Sequence, residues 1–161
     1  MLQRLFPRQI DNGYQGQVLA IWLFAPVLIV KTIMGFNVAG LDPLISSRDV
    51  LQRADGVAVD AYTADAASHV VFTFAAWGLC LLVLALLAWV VLIRYRAMLP
   101  LVILALTVEQ IGRMALAQTM LSHPARPGLP VSTLINWGLA GFLVLALVLS
   151  LARAKAPSTP S

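Results

Sequence analysis

The sequence predicts an all-α membrane protein: an antiparallel bundle of four transmembrane helices with both termini in the cytoplasm. Three observations predict it. Hydrophobic residues make up 60% of the 161-residue chain and charged residues 11%, too little charge to cover a water-soluble domain of this size. Mean hydropathy is +0.88. Four separate apolar stretches each pass the length of about 20 residues that a helix needs to cross a bilayer.

The first span is read over residues 18–41. Arg4 and Arg8 ahead of Val18 to Val30 resemble a signal peptide, but Lys31 interrupts the apolar run. The small-residue site at Asn37-Val38-Ala39 is a poor cleavage site, so the segment reads as a retained anchor. Pro26 should kink this helix or loosen one backbone bond. The apolar N-terminal residues Leu2, Leu5, Phe6 and Ile10 read either as an interfacial segment or as an ordinary lead-in.

Residues 42–69 form the long first loop, the one extramembrane stretch with room for structure. Ser46 or Ser47 should cap a short helix running through Arg53. Asp55-Gly56 reads as a turn. Val57 and Val59 alternate with small residues and suggest a short extended piece. Thr63 or Asp65 should cap a helix that begins ahead of the second span.

The second span is read over 70–93, a leucine-rich helix with Thr73 and Cys80 as its mid-membrane polar atoms. Its body should face lipid, with Cys80 a small packing residue. Arg94-Tyr95-Arg96 is a tight connection that makes spans two and three antiparallel neighbours. The third span covers 98–121 and the fourth 131–152. Gly138 and Gly141 in the fourth suggest a close helix contact. Trp22, Trp77, Trp89 and Trp137 fall mostly near span ends, as interface anchors do. Residues 1–155 thus form one domain, and residues 156–161 a Pro/Ser-rich disordered cytoplasmic tail.

Orientation follows from the basic residues. Arg4, Arg8, Arg94, Arg96, Arg153 and Lys155 collect on one side. The other side carries Arg48, Arg53 and Arg126, with five aspartates (Asp42, Asp49, Asp55, Asp60, Asp65) in its long loop. The expected location is a bacterial-type inner (plasma) membrane, multi-pass, with the basic side cytoplasmic.

Composition also excludes function classes. The net charge of +4 sits beside apolar runs rather than in a basic stripe with interleaved aromatics, so nucleic acid is not an expected partner. One cysteine supplies neither a disulfide nor a CxxC pair, which excludes thiol oxidoreductases that need cysteine pairs. His69 and His123 lack metal-ligand spacing, and the loop aspartates lack the EF-hand pattern. No metal and no cofactor is expected. No nucleophile–base pair, Walker loop or dinucleotide fingerprint occurs.

The functional candidates are intramembrane charges. Glu109 is the chain's single glutamate and falls near the middle of the third span, with Arg113 one turn later. Charges at that depth must face protein or trapped water. On a helical wheel, Leu101, Leu104, Val108, Ile111 and Ala115 form an apolar sector for lipid. Ala105, Glu109, Gln110, Gly112, Arg113 and Gln118 fall on the remainder, with Gly112 letting a neighbouring helix approach. Lys31 in the first span lies at a compatible depth. The expected cluster is Lys31, Glu109 and Arg113, edged by Gln110 and Asn136. It carries about one excess positive charge, to be met by an anion, a lipid headgroup, a loop aspartate or a partner.

These residues leave three functions open. The first is a non-enzymatic accessory, assembly or structural subunit whose buried Lys/Glu/Arg cluster fixes helix register or meets a larger membrane protein or a second copy. The second is a carrier or binder of a small anionic or amphipathic ligand or lipid through Lys31, Glu109 and Arg113. The third is a membrane-embedded enzyme using Glu109 as acid or base. The balance leans away from an enzyme, and no catalytic residue is assigned. The bilayer itself is the first expected partner.

Overall fold

The computed structural model describes residues 5–7, 10–120 and 131–152. Among them are five α-helices and no strand: α1 (Val18–Val38), α2 (Ser47–Ala54), α3 (Ala64–Arg94), α4 (Leu99–Met120) and α5 (Val131–Leu151). Short 3₁₀ turns occur at Val59–Ala61 and Arg96–Met98. Four helices are long and apolar enough to cross a membrane: α1, α3, α5 and α4 with its preceding turn. The expected N-terminal interfacial segment, the connection at 121–130 with His123 and Arg126, and the tail fall wholly or largely outside the described residues.

The chain divides into two packing units, one of residues 28–87 and one of residues 1–27 with 88–161. In the first unit, glycines set how closely two helices approach. A Cβ added at Gly35 of α1 would lie 2.8 Å from the Leu82 amide nitrogen. One added at Gly78 of α3 would lie 2.5 Å from the Ala39 nitrogen and 2.6 Å from the Val38 carbonyl carbon. Contacts advance along α1 as they retreat along α3. Gly138 and Gly141, expected at a close contact, have nothing within 4 Å of an added Cβ. Small residues are used for helix approach, as expected in a membrane, but at different positions.

The exit of α1 is a Schellman motif. The Leu41 amide donates to the Phe36 carbonyl and the Gly40 amide to the Asn37 carbonyl. Gly40 takes the required left-handed φ of +70°, which carries little steric cost without a Cβ. This ends α1 at Val38 rather than Leu41. The Ser47 hydroxyl then donates to the Val38 carbonyl at 2.8 Å and draws the following loop back over the helix end.

That loop is folded. Ser46 caps α2 through a capping box, in which Asp49's amide bonds the Ser46 hydroxyl and its carboxylate accepts from the Ser46 amide. Gly56 turns the chain at φ +68°. Leu51, Val59 and Ala67 form a small buried core, flanked by Val57, Val71 and Phe74. Val59 begins a 3₁₀ turn instead of the expected extended piece, because its side chain must turn inward to fill this core. Arg48 and Gln52 both bond the Asp60 carboxylate and close the loop from outside. Thr63 caps α3, its hydroxyl accepting from the Ala66 amide.

Its 31 residues make α3 about 46 Å long, more than the roughly 30 Å of a hydrocarbon core. It starts at Ala64, six residues ahead of the apolar stretch. Cys80 is exposed on its surface and not in the packed interior, because the buried stripe is Leu81, Leu82, Ala85, Ala88 and Leu92.

In the second unit α4 packs along α5. Leu99, Ile103, Leu106, Thr107 and Gln110 line the buried side of α4. Leu139, Ala140, Leu143, Ala146 and Ser150 line that of α5. Both sets recur at three and four residues, the spacing of one helix face. Residues 11–17 form a strap across this unit. The Asp11 carbonyl accepts from the Ala97 amide, and the Gln17 amide donates to the Leu149 carbonyl, each at 3.2 Å. Gln17 immediately precedes α1, while Leu149 lies in the last turn of α5. A donor orphaned at one helix start therefore satisfies an acceptor orphaned at another helix end. Tyr14 lies within the strap, its hydroxyl donating to the Gln17 carbonyl. Burial pushes its phenol up to about 12.

Candidate functional site

Gln110, Arg113 and Asn136 meet in the second packing unit. Gln110 is fully buried and lies on the same side of α4 as Ile103 and Leu106, at the centre of its packed face. Its side-chain amide donates to both the Asn136 side-chain oxygen and the Asn136 backbone carbonyl, each at 3.2 Å, and lies 3.7 Å from the Met114 sulfur. One nitrogen of the Arg113 guanidinium, Nη2, donates to the Asn136 side-chain oxygen at 2.9 Å and to the Gln110 oxygen at 3.1 Å. Arg113 Nε lies 3.5 Å from Glu109 Oε1.

The two helices are thus joined by a polar clasp. Asn136 on α5 supplies two acceptors, and Gln110 and Arg113 on α4 supply the donors. The acid precedes the base by four residues, which suits the helix dipole. The Glu109 and Arg113 side chains remain 20% and 27% exposed, so the pair sits at the flank of the packed face.

The sequence reading turns Ala105, Glu109, Gln110, Gly112, Arg113 and Gln118 toward the bundle. The structure buries Gln110 at the centre of the packed face and sets Glu109 and Arg113, partly buried, at its flank. Ala105, Gly112 and Gln118, assigned to the inward side, are exposed, and an added Cβ at Gly112 meets nothing within 4 Å. The wheel was oriented by polarity, whereas the helix is oriented by packing of Ile103, Leu106 and Thr107. Val108, Ile111 and Ala115 do face outward as expected.

Lys31 belongs to the other packing unit. It is fully buried, although a lysine placed this far from the end of an apolar helix has no short route to water. Two buried polar residues were missed by sequence reasoning, Thr107 and Ser150. Each turns its hydroxyl back onto its own helix, to the Ile103 and Leu147 carbonyls, the usual way such side chains are satisfied in an apolar helix. The signal was there: both fall on the three-to-four-residue stripe of their helices.

His69 is exposed near the start of α3. Among the described residues, no three His, Cys, Asp or Glu side chains are grouped so as to hold a metal ion. No protein family, curated sequence or solved structure matches this chain.

Proposed function

We propose that this is a multi-pass protein of a bacterial-type inner membrane that serves as a non-catalytic accessory or assembly subunit, docking through the α4 face that carries Glu109 and Arg113. The observation that carries the reading is the position of this pair. It is bonded into the α4–α5 clasp on one side and left a fifth to a quarter exposed on the other. It lies mid-helix, and its partly exposed edge marks a polar spot on an otherwise apolar surface. A second membrane helix against this face would cover that edge. The open ground around Gly112 and Ala105 would let such a helix approach closely. A larger membrane protein is the first candidate and a second copy of the chain the next.

The strap supports the expected topology. Its two hydrogen bonds hold the start of α1, the entry to α4 and the exit of α5 together, as an antiparallel arrangement with both ends on one membrane face requires. The basic residues at 4, 8, 94, 96, 153 and 155 favour the cytoplasm for that face.

The alternative reading, a carrier or binder of a small anionic or amphipathic molecule, is favoured by one feature. Arg113 Nη2 and the Gln110 amide converge on a single acceptor, Asn136 Oδ1, and a ligand oxyanion could take that acceptor's place.

The test is cross-linking in the native membrane from Gly112→Cys in a Cys80→Ser background, followed by native mass spectrometry. The expected result is one stoichiometric adduct, a larger protein or a second copy, that is lost with Glu109→Gln. A bare monomer would refute docking. A monomer holding a small anion that disappears with Arg113→Gln would establish the carrier reading instead.

A further inference from the structure

The turn between α3 and α4 exposes two arginines. Arg94 ends α3 and Arg96 opens the following 3₁₀ turn; both side chains are exposed. Arg96 donates from Nε to the Leu92 carbonyl at 3.0 Å, which caps the helix and leaves its two terminal nitrogens unused. Neither arginine forms an ion pair with a described carboxylate. The fold brings the Asp11 backbone to this turn, its carbonyl accepting from the Ala97 amide. The Asp11 carboxylate accepts from the Gly13 amide at 2.8 Å and pairs with neither arginine. The helix dipoles nearly cancel here, the end of α3 opposing an anion and the start of α4 favouring one. The charge of two guanidiniums remains, at the end of an apolar helix.

The surroundings are apolar on the lipid side. Ile93 is 66% exposed and Ile10, next to Asp11 in the strap, is 60% exposed. Trp89 lies about one turn below Arg94, where interfacial tryptophans sit. An ion with an apolar tail fits this combination better than a free ion. We infer that Arg94 and Arg96 bind the headgroup phosphate of an anionic phospholipid. Guanidinium matches phosphate oxygens with two parallel donors. This site is independent of the Glu109–Arg113 face, so either assignment can fail alone.

The test uses the full chain in nanodiscs of equimolar phosphatidylglycerol and phosphatidylcholine, with retained lipids counted by native mass spectrometry. Wild type should retain phosphatidylglycerol selectively. Each juxtamembrane arginine is worth about fivefold in preference for anionic lipid, so Arg94→Gln should lose about fivefold and the double Arg94→Gln/Arg96→Gln variant about 25-fold. Arg94→Lys, which keeps the charge but not the paired donors, should fall between wild type and Arg94→Gln. Arg94 makes no described side-chain bond, so its variant tests binding without disturbing the turn. Equal retention by wild type and double variant would overturn the inference, and so would a wild type with no preference. Displacement of the lipid by inorganic phosphate at low concentration would mark a general oxyanion site and overturn the lipid assignment.

Discussion

Replacing Gly78 with alanine should destabilise this protein, while replacing Gly112, Gly138 or Gly141 should not. The magnitude follows from the crossing of α1 and α3. The new methyl at position 78 would sit 2.5 Å from the Ala39 nitrogen and 2.6 Å from the Val38 carbonyl carbon. Ordinary contact begins at 3.4 Å, so about 0.9 Å is missing. Both obstacles are backbone, and no rotamer change relieves them. The helices must separate, and every contact along the crossing lengthens with them. Overpacking costs about 1–3 kcal/mol, and a clash with two backbone atoms falls in the upper part of that range, about 2–3 kcal/mol. The helix propensity of alanine returns at most about 1 kcal/mol, leaving a net loss of about 1–2 kcal/mol.

Gly35→Ala faces a smaller deficit against Leu82, about 0.6 Å, and should cost less. The double variant should cost less than the sum, because separation forced by one methyl makes room for the other. At Gly112, Gly138 and Gly141 nothing opposes the methyl, so propensity alone acts and stability is unchanged or raised by up to about 1 kcal/mol. The assay is reversible unfolding in mixed detergent micelles, followed by circular dichroism. Gly78→Ala as stable as wild type, or Gly112→Ala less stable by more than about 1 kcal/mol, would refute the packing described here.

The clasp and the outer loop make two further predictions. Asn136→Leu removes the side-chain acceptor shared by Gln110 and Arg113; with membrane side-chain hydrogen bonds near 0.6 kcal/mol each, the same unfolding assay should register about 1–2 kcal/mol. In the outer loop, hydrogen bonds from Arg48 and then Gln52 lower the Asp60 carboxyl, and those from Ser46 lower Asp49. Both groups are charged when folded below the pH at which the unfolded chain protonates, near 3.9. Their contribution is therefore complete above that pH and disappears as pH falls through the lower folded values. A spin label at Ala58 should become mobile on acidification in wild type and be mobile already at neutral pH in Asp60→Asn; a label equally immobile in both would refute the closure of the loop by Asp60.

The spans and caps were legible because each rests on one strong local signal. Twenty apolar residues leave few alternatives to a spanning helix, and Ser46, Asp55-Gly56 and Thr63 carry their own local hydrogen-bond chemistry. The facing of the helices was not legible. In water the apolar side of a helix points inward, so polarity reports packing. In hydrocarbon a packed side chain such as Ile103 and a lipid-facing one such as Val108 are equally content, and that report is lost. Polarity alone groups Ala105, Gly112 and Gln118 with the inward side, although Ile103, Leu106 and Gln110 fix how α4 sits. The glycines show the same loss. Gly35 and Gly78 meet a neighbouring backbone while Gly112, Gly138 and Gly141 meet none, and the sequence around each is similarly apolar.

The strap bears on the proposed topology in a way that charge does not. Counting arginines weighs one side against another and can be tipped by a few residues. A hydrogen bond is a matter of distance: the Gln17 amide and the Leu149 carbonyl stand 3.2 Å apart, and a bilayer about 30 Å thick cannot lie between them. Whatever crosses the membrane between those residues must cross an even number of times. Four apolar helices satisfy that count and three or five do not. The bond between Asp11 and Ala97 divides the count again, requiring an even number of crossings on each side of Ala97, and the proposed order α1, α3, then α4, α5 meets that condition. In the proposed topology, charge is then needed for a single choice, which face is cytoplasmic. Arg94 and Arg96 stand beside the strap and contribute to that choice directly.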